Sequence, residues 1–181
     1  MMLTEEDIIK GCQKGDPVAQ KKLYEKYASK MFGVCIRYFK STEEAEDALQ
    51  EGFIRLFKYI GQYRGDGSFE GWMRRIIVNT ALNYHKSILK HQYHTNYQEV
   101  EELIEDERIA YDPMHVEFLL KVIQQMPEGY RVIFNLFEIE GYSHKEIADM
   151  LKISVNTSKS QLMKSKRYIQ RQLEKINELK Y

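Results

Sequence analysis

Apolar residues recur at intervals of three and four along nearly the whole chain, and no run alternates as a half-buried strand does. The spacing predicts an all-α fold. Asp16-Pro17 places a capping acceptor before a proline at the first helical position, opening a helix through Leu23, Tyr27, Met31 and Val34 to about Phe39. Ser41-Thr42-Glu43-Glu44 is a capping box and starts a second helix that reaches about Gln62. Gly65-Asp66-Gly67 breaks the pattern, after which Ser68 can cap a helix carrying Phe69, Trp72, Ile76 and Leu82 to about Leu89. From about residue 91 to 112 the periodicity fades while Glu99, Glu101, Glu102, Glu105, Asp106 and Glu107 crowd together. Their mutual repulsion makes a linker, with room for a short helix over residues 100–104. Asp112-Pro113 resembles a fresh helix start, and a second helical block continues to the terminus. The predicted organisation is two small helical domains, 1–92 and 113–181, joined by an acidic linker over 93–112.

Composition narrows the class. In 181 residues, 43% hydrophobic and 30% charged side chains supply enough apolar surface for a core, which argues against disorder throughout. No stretch approaches the roughly 20 apolar residues of a membrane span, and the start is acidic where a secretory signal would be basic. No membrane insertion and a cytoplasmic location are expected. Cys12 and Cys35 are too few and too far apart for a zinc cage and read as reduced thiols, Cys35 as a buried hydrophobe.

A net charge of zero argues against a nucleic-acid binder, but its distribution reverses the inference. Basic residues outnumber acidic ones 15 to 12 over residues 1–96 and 11 to 7 over 118–181, whereas 97–117 holds 1 against 8. Residues 71–98 and 150–173 contain no acid at all. Phosphates can sit along such tracts.

A helix-turn-helix needs a supporting helix, a tight turn and a second helix that enters the major groove. Residues 143–170 fit that layout. Ser143-His144-Lys145-Glu146 is a capping box for a short helix through Ile147, Ala148 and Leu151, with Ala148 small where the helices cross. Lys152-Ile153 makes the turn, although glycine would adopt a left-handed conformation there more easily. Ser154 caps the next helix, with Val155, Leu162 and Ile169 toward the core. Asn156, Thr157, Lys159, Ser160, Lys164 and Arg167 face outward, where they can bond base edges and phosphates. The bland alternative is a solvated basic surface.

In the first block, Asp47, Gln50, Glu51 and Ile54 share one helical face beside an apolar stripe of Ala48, Leu49, Phe53, Leu56 and Phe57. Alone, that polar stripe reads as an ordinary wet face. Farther on, Tyr59, Tyr63, Arg64, Phe69 and Trp72 interleave with Arg74, Arg75, Asn79, Asn83 and Lys86. Rings stack on splayed bases and cations hold a backbone, so the mixture suits single-stranded DNA, while Trp72 on its own reads as core. His85, His91 and His94 suggest a metal site, yet no nearby cysteine or carboxylate completes a ligand set and no nucleophile pairs with a base. Neither a metal, a cofactor nor an enzyme is expected.

These residues resemble a known family. Asp47-Ala48-Leu49-Gln50-Glu51-Gly52-Phe53, then Tyr63-Arg64-Gly65-Asp66 with Phe69 and Trp72, then residues 75–84, are similar to region two of extracytoplasmic-function sigma factors. Residues 141–148 and 153–160 resemble region four of the same family. The resemblance implies that Asp47, Gln50, Glu51 and Phe53 dock on the clamp helices of the largest RNA polymerase subunit, with the second domain at the beta flap. It implies that Tyr63, Arg64, Phe69, Trp72, Arg74, Arg75, Asn79, Asn83 and Lys86 melt and read the minus-ten promoter element. Ser154, Asn156, Thr157, Lys159, Ser160, Lys164 and Arg167 would read the minus-thirty-five element as duplex. The linker would thread toward the active-site and RNA-exit channels, and an anti-sigma factor would be a partner. The chain departs from the family at Asn83, where an acid is frequent, at Lys152, often glycine, and at Ser158, often valine. The competing class is a one-component regulator whose last helices bind an operator while the first block binds a ligand or dimerises. A third is a helical scaffold.

Overall fold

The computed structural model describes residues 4–94 and 116–178, and among them every regular element is helical. Of the linker expected over 93–112, residues 93 and 94 are helical and the remainder, with the short helix expected over 100–104, lies outside the described residues, as do the Asp112-Pro113 start and the side chains of Lys86, His91 and His94. The chain divides into two compact units, Met1–Tyr84 and His85–Tyr181.

In the first unit, α1 (Glu5–Gln13) begins with a reciprocal box in which Thr4 accepts from the Asp7 N–H at 3.2 Å and Asp7 accepts from the Thr4 N–H at 3.0 Å. α2 (Pro17–Cys35) starts where Asp16 Oδ1 accepts from the Val18 N–H at 2.9 Å. It buries Leu23, Tyr27 and Met31 at four-residue spacing. The helix stops short of the expected Phe39. Tyr38 and Phe39 are buried, and the chain turns there through a Tyr38 N–H bond to the Cys35 carbonyl at 2.8 Å. Burial of two large rings overrides continuation of the helix. Cys35 is buried too, which pushes its thiol up to about 12 and leaves it far from a reactive thiolate.

α3 (Thr42–Tyr59) is capped by Ser41, which accepts from the Glu44 N–H at 3.2 Å, and passes into a 3₁₀ turn (Ile60–Gln62). α4 (Phe69–His94) is capped by Ser68, accepting from the Gly71 N–H at 2.9 Å, and extends beyond the expected Leu89. α3 crosses α4 closely at Gly52, where a Cβ would lie 2.5 Å from Ile77 Cδ1.

In the second unit, α5 (Val116–Gln125) packs Phe118, Val122 and Ile123 with Met126 against Tyr168 of α8 (Val155–Glu178). α6 (Glu128–Phe134) carries the buried Arg131 and leads into a π-helical segment (Asn135–Ile139). α7 (His144–Leu151) and α8 are joined by a tight turn.

Candidate functional site

Three surfaces hold the predicted residues. On α3, Asp47 and Gln50 are exposed, and the half-buried Glu51 accepts from Arg55 Nε at 2.7 Å. Phe53, expected on this docking face, is only 3% exposed and sits edge-on to Tyr24 with centroids 4.7 Å apart. It belongs to the inward stripe with Leu49 and Leu56, so apolar burial decides its position. Ile54 takes the outward place at 63% exposed. Tyr24 of α2 flanks this ridge, and no local motif pointed to it.

The second surface is the loop between the 3₁₀ turn and α4. Gly65 and Gly67 adopt φ of 85° and 99°, which glycine accepts without strain, and the Tyr63 hydroxyl closes the loop by donating to the Gly67 carbonyl at 2.8 Å. The Tyr63 ring lies 5.1 Å from Phe69 and 5.5 Å from Trp72, centroid to centroid. Phe69 is buried, so it forms a floor for the other two rings rather than a free stacking platform. Tyr63 and Trp72 are half-buried and Arg64 is exposed. Along α4, Arg75, Asn79 and Asn83 are all exposed at four-residue spacing and form one outward stripe, while Arg74 is half-buried. The loop is therefore continuous with a polar, acid-free helical face.

The third surface is the helix-turn-helix. Ser143 and Glu146 form the expected reciprocal box, with Ser143 N–H to Glu146 Oε2 at 2.8 Å. Lys152 adopts φ 57° and ψ 45°, so the turn takes the left-handed conformation despite the missing glycine. Ser154 caps α8 by accepting from the Thr157 N–H at 2.9 Å, and its hydroxyl meets that of Thr157 at 2.8 Å. Asn156, Lys159, Ser160 and Arg167 are exposed, with Thr157 and Lys164 half-buried.

The inner face of α8 departs from expectation. Val155 is 39% exposed instead of facing the core, and the inward positions are Ser158, Gln161, Leu162, Ser165 and Tyr168. Ser158, at 0% exposure, is paired with His144 Nδ1 at 2.9 Å, and the His144 ring stacks on Phe137 of the π segment at 4.4 Å. Ser165 Oγ donates to the Leu162 carbonyl at 2.7 Å. Ser158, Gln161 and Ser165 are polar residues that the sequence pattern did not assign to the core. The burial of Ser158 and Ser165 is matched by partners supplied by α7 and by the helix's own carbonyls, whereas Gln161 is buried with its Oε1 unbonded among the described residues.

Burial first, and Lys159 second, hold the His144 imidazole below its usual 6.5. A ring whose folded pKa is depressed binds its proton more readily in the unfolded chain. Its neutral form thus contributes stability that is complete above 6.5 and is lost as pH falls toward the lowered value. Urea midpoints of the second unit should fall between about pH 7.5 and 5.5, and less steeply in His144→Phe. Equal slopes for both proteins would remove His144 as the titrating group.

Among the described residues no cluster of three histidine, cysteine or acidic side chains could hold a metal ion, and no helix is long and apolar enough to cross a membrane.

Comparison with known proteins covers both units. Residues 23–90 match the family model for Sigma-70 region 2, and residues 119–169 match that for Sigma-70, region 4. The RNA polymerase sigma-H factor of Pseudomonas aeruginosa is 30% identical over 189 residues, covering 97% of this chain and 98% of that protein. The ECF RNA polymerase sigma-E factor of Haemophilus influenzae is 28% identical over 194 residues, covering 96% and 97%. In fold, the chain is similar to the sigma factor RpoE of Bartonella quintana, solved with the anti-sigma factor NepR, at a TM-score of 0.52 and 14% identity over 85% of this chain and 96% of that one. Such end-to-end likeness does not favour a one-component regulator, which would share the last helices alone. With both regions in order along its length, this chain belongs to the extracytoplasmic-function sigma factors, which confer promoter recognition on bacterial RNA polymerase.

Proposed function

We propose that the three surfaces divide the work of initiation. Asp47, Gln50 and Glu51, with Ile54 beside them and Phe53 shaping the ridge from beneath, dock on the clamp helices of the polymerase largest subunit. Tyr63, Arg64 and Trp72 above Phe69, continued by Arg74, Arg75, Asn79, Asn83 and Lys86, open and read the minus-ten element as single strand. Ser154, Asn156, Thr157, Lys159, Ser160, Lys164 and Arg167 read the minus-thirty-five element as duplex while the second unit rests on the beta flap. The linker over 93–112 threads the enzyme's channels, and an anti-sigma factor holds the chain silent. The chain works in the cytoplasm and catalyses no reaction of its own.

The observation that carries this reading is the outward stripe of Arg75, Asn79 and Asn83, on a tract without an acid over residues 71–98, that follows a half-exposed aromatic loop. Cations and amides next to open rings suit splayed bases and a phosphate backbone, and it is the rings that set this face apart from the duplex-reading helix.

Reconstitution with core polymerase tests it. The holoenzyme should start RNA synthesis at discrete sites on genomic fragments, while the free chain binds duplex weakly. Failure of the chain to associate with core would end the proposal. Lys159→Ala should weaken holoenzyme binding to a recovered promoter about tenfold and lower the salt slope by about one, since one cation leaves the duplex contact. An unchanged affinity and slope would take Lys159 off the interface.

A further inference from the structure

α1 has no part in the division of labour above, yet its far end reaches the strand-reading loop. Three points fix the helix. Near its start, Glu5 accepts from Lys26 Nζ at 2.5 Å and from the Tyr27 hydroxyl, both on α2. Lys26 first, and Tyr27 second, hold the Glu5 carboxyl below its ordinary range. At Gly11 the helix lies directly on α2, because a Cβ there would stand 2.6 Å from Ala19 Cβ. That carbon has no torsion by which to withdraw, so glycine sets the spacing.

At the end of α1, the Gln13 carboxamide donates from Nε2 to the Ile60 carbonyl at 3.2 Å and to the Tyr63 carbonyl at 3.3 Å. Those carbonyls flank the 3₁₀ turn at the entrance to the loop. Tyr63 is where the tether and the site meet. Its carbonyl is held by Gln13, its hydroxyl closes the loop on Gly67, and its ring packs with Phe69 and Trp72. Gln13 and Tyr63 also face the same groove of about 970 Å³ between α1 and the loop.

We propose that Gln13 is a positioning residue for strand reading, fixing through Tyr63 the placement of the aromatic loop from a helix anchored on α2. The proposal rests on the reading of the loop as the part that takes the opened minus-ten strand. Two glycines in the left-handed region leave this short loop with large conformational freedom. A loop held before binding loses less freedom when bases arrive, so the tether should sharpen base selection more than it raises overall affinity.

A donor series separates positioning from folding. Gln13→Met keeps the length without a donor, Gln13→Glu keeps the shape with acceptors only, and Gln13→Arg restores donors. The probe is a pool of forked duplexes with a randomised single-stranded non-template segment, selected by reconstituted holoenzyme and sequenced. Gln13→Met should reduce the enrichment of preferred bases about fivefold, as expected for two neutral hydrogen bonds, one part-buried and one exposed, and Gln13→Glu at least as much. Gln13→Arg should recover most of it, while melting temperature and affinity for core stay unchanged in all three. The proposal is overturned if Gln13→Met selects as strongly as the unaltered chain. It is equally overturned if Gln13→Arg is as impaired as Gln13→Met. Tyr63→Ala and Trp72→Ala distinguish the two levels of the argument. If they abolish selection while Gln13→Met does not, the tether alone is wrong, and if they too leave selection intact, the loop reading falls and the tether with it.

Discussion

Replacing Arg131 with alanine is expected to lower the stability of the second unit by about 3 to 5 kcal/mol, the largest single effect in the chain. Arg131 is 3% exposed although charged, and its Nη1 donates to the Gln124 carbonyl at 2.7 Å and the Met126 carbonyl at 3.2 Å. It closes the end of α5, where helix carbonyls have run out of partners in their own helix. Hydrogen bonds from a charged donor contribute about 1.5 to 3 kcal/mol each, and alanine leaves both acceptors underused beside a cavity. A unit of this size holds only about 3 to 9 kcal/mol in total, so most of it would be lost. Arg131→Met, which fills the volume without a donor, should be less damaging. Arg131→Lys should fare poorly as well, because an ammonium lacks the planar fork that suits fixed acceptors. Urea unfolding followed by helicity provides the measurement, with the first unit as an internal reference. Equal midpoints for the unaltered chain and Arg131→Ala would mean the guanidinium contributes nothing.

The double substitution Arg75→Ala/Asn79→Ala should reduce promoter opening about 30-fold, equivalent to about 2 kcal/mol, while leaving the upstream duplex contact in place. Both side chains are exposed on the α4 stripe, so their removal should cost the fold less than about 0.5 kcal/mol. The loss therefore belongs to the DNA contact and not to the scaffold. Permanganate reactivity of thymines in the minus-ten element reports opening, and a nuclease footprint over the minus-thirty-five element reports the duplex contact. A footprint that disappears along with reactivity would move these residues to duplex recognition. Undiminished reactivity would remove the stripe from the site.

The helix starts were legible because caps are local chemistry. Asp16, Ser41, Ser68, Ser143 and Ser154 each accept from an N–H two or three residues ahead, so a short window of sequence holds the whole interaction. The same rule applies to α1, whose Thr4-Glu5-Glu6-Asp7 start reads as merely acidic until the box is noticed. The outward residues of α4 and most of those on α8 were legible for a related reason, since helical spacing alone puts them on one side. Departures came where a side chain's environment is supplied from elsewhere. Phe69, read as a stacking ring, is drawn inward by neighbouring rings, Phe53 stays in the apolar stripe where its spacing put it although the family resemblance implied docking, and Val155 is left outside while Ser158 goes in.

By itself, the amino-acid sequence determined the helical class, the places where most helices begin, the acid-free faces and the order of two family segments. All of these rest on periodicity, short-range hydrogen bonding and charge, which do not depend on how distant segments meet. Only the tertiary structure decided that Lys152 takes a left-handed turn, that Ser158 finds His144, and that Gln13 reaches Ile60 and Tyr63 across 47 and 50 positions. Burial and long-range hydrogen bonding are properties of pairs of segments brought together by packing, so no single stretch of the chain encodes them.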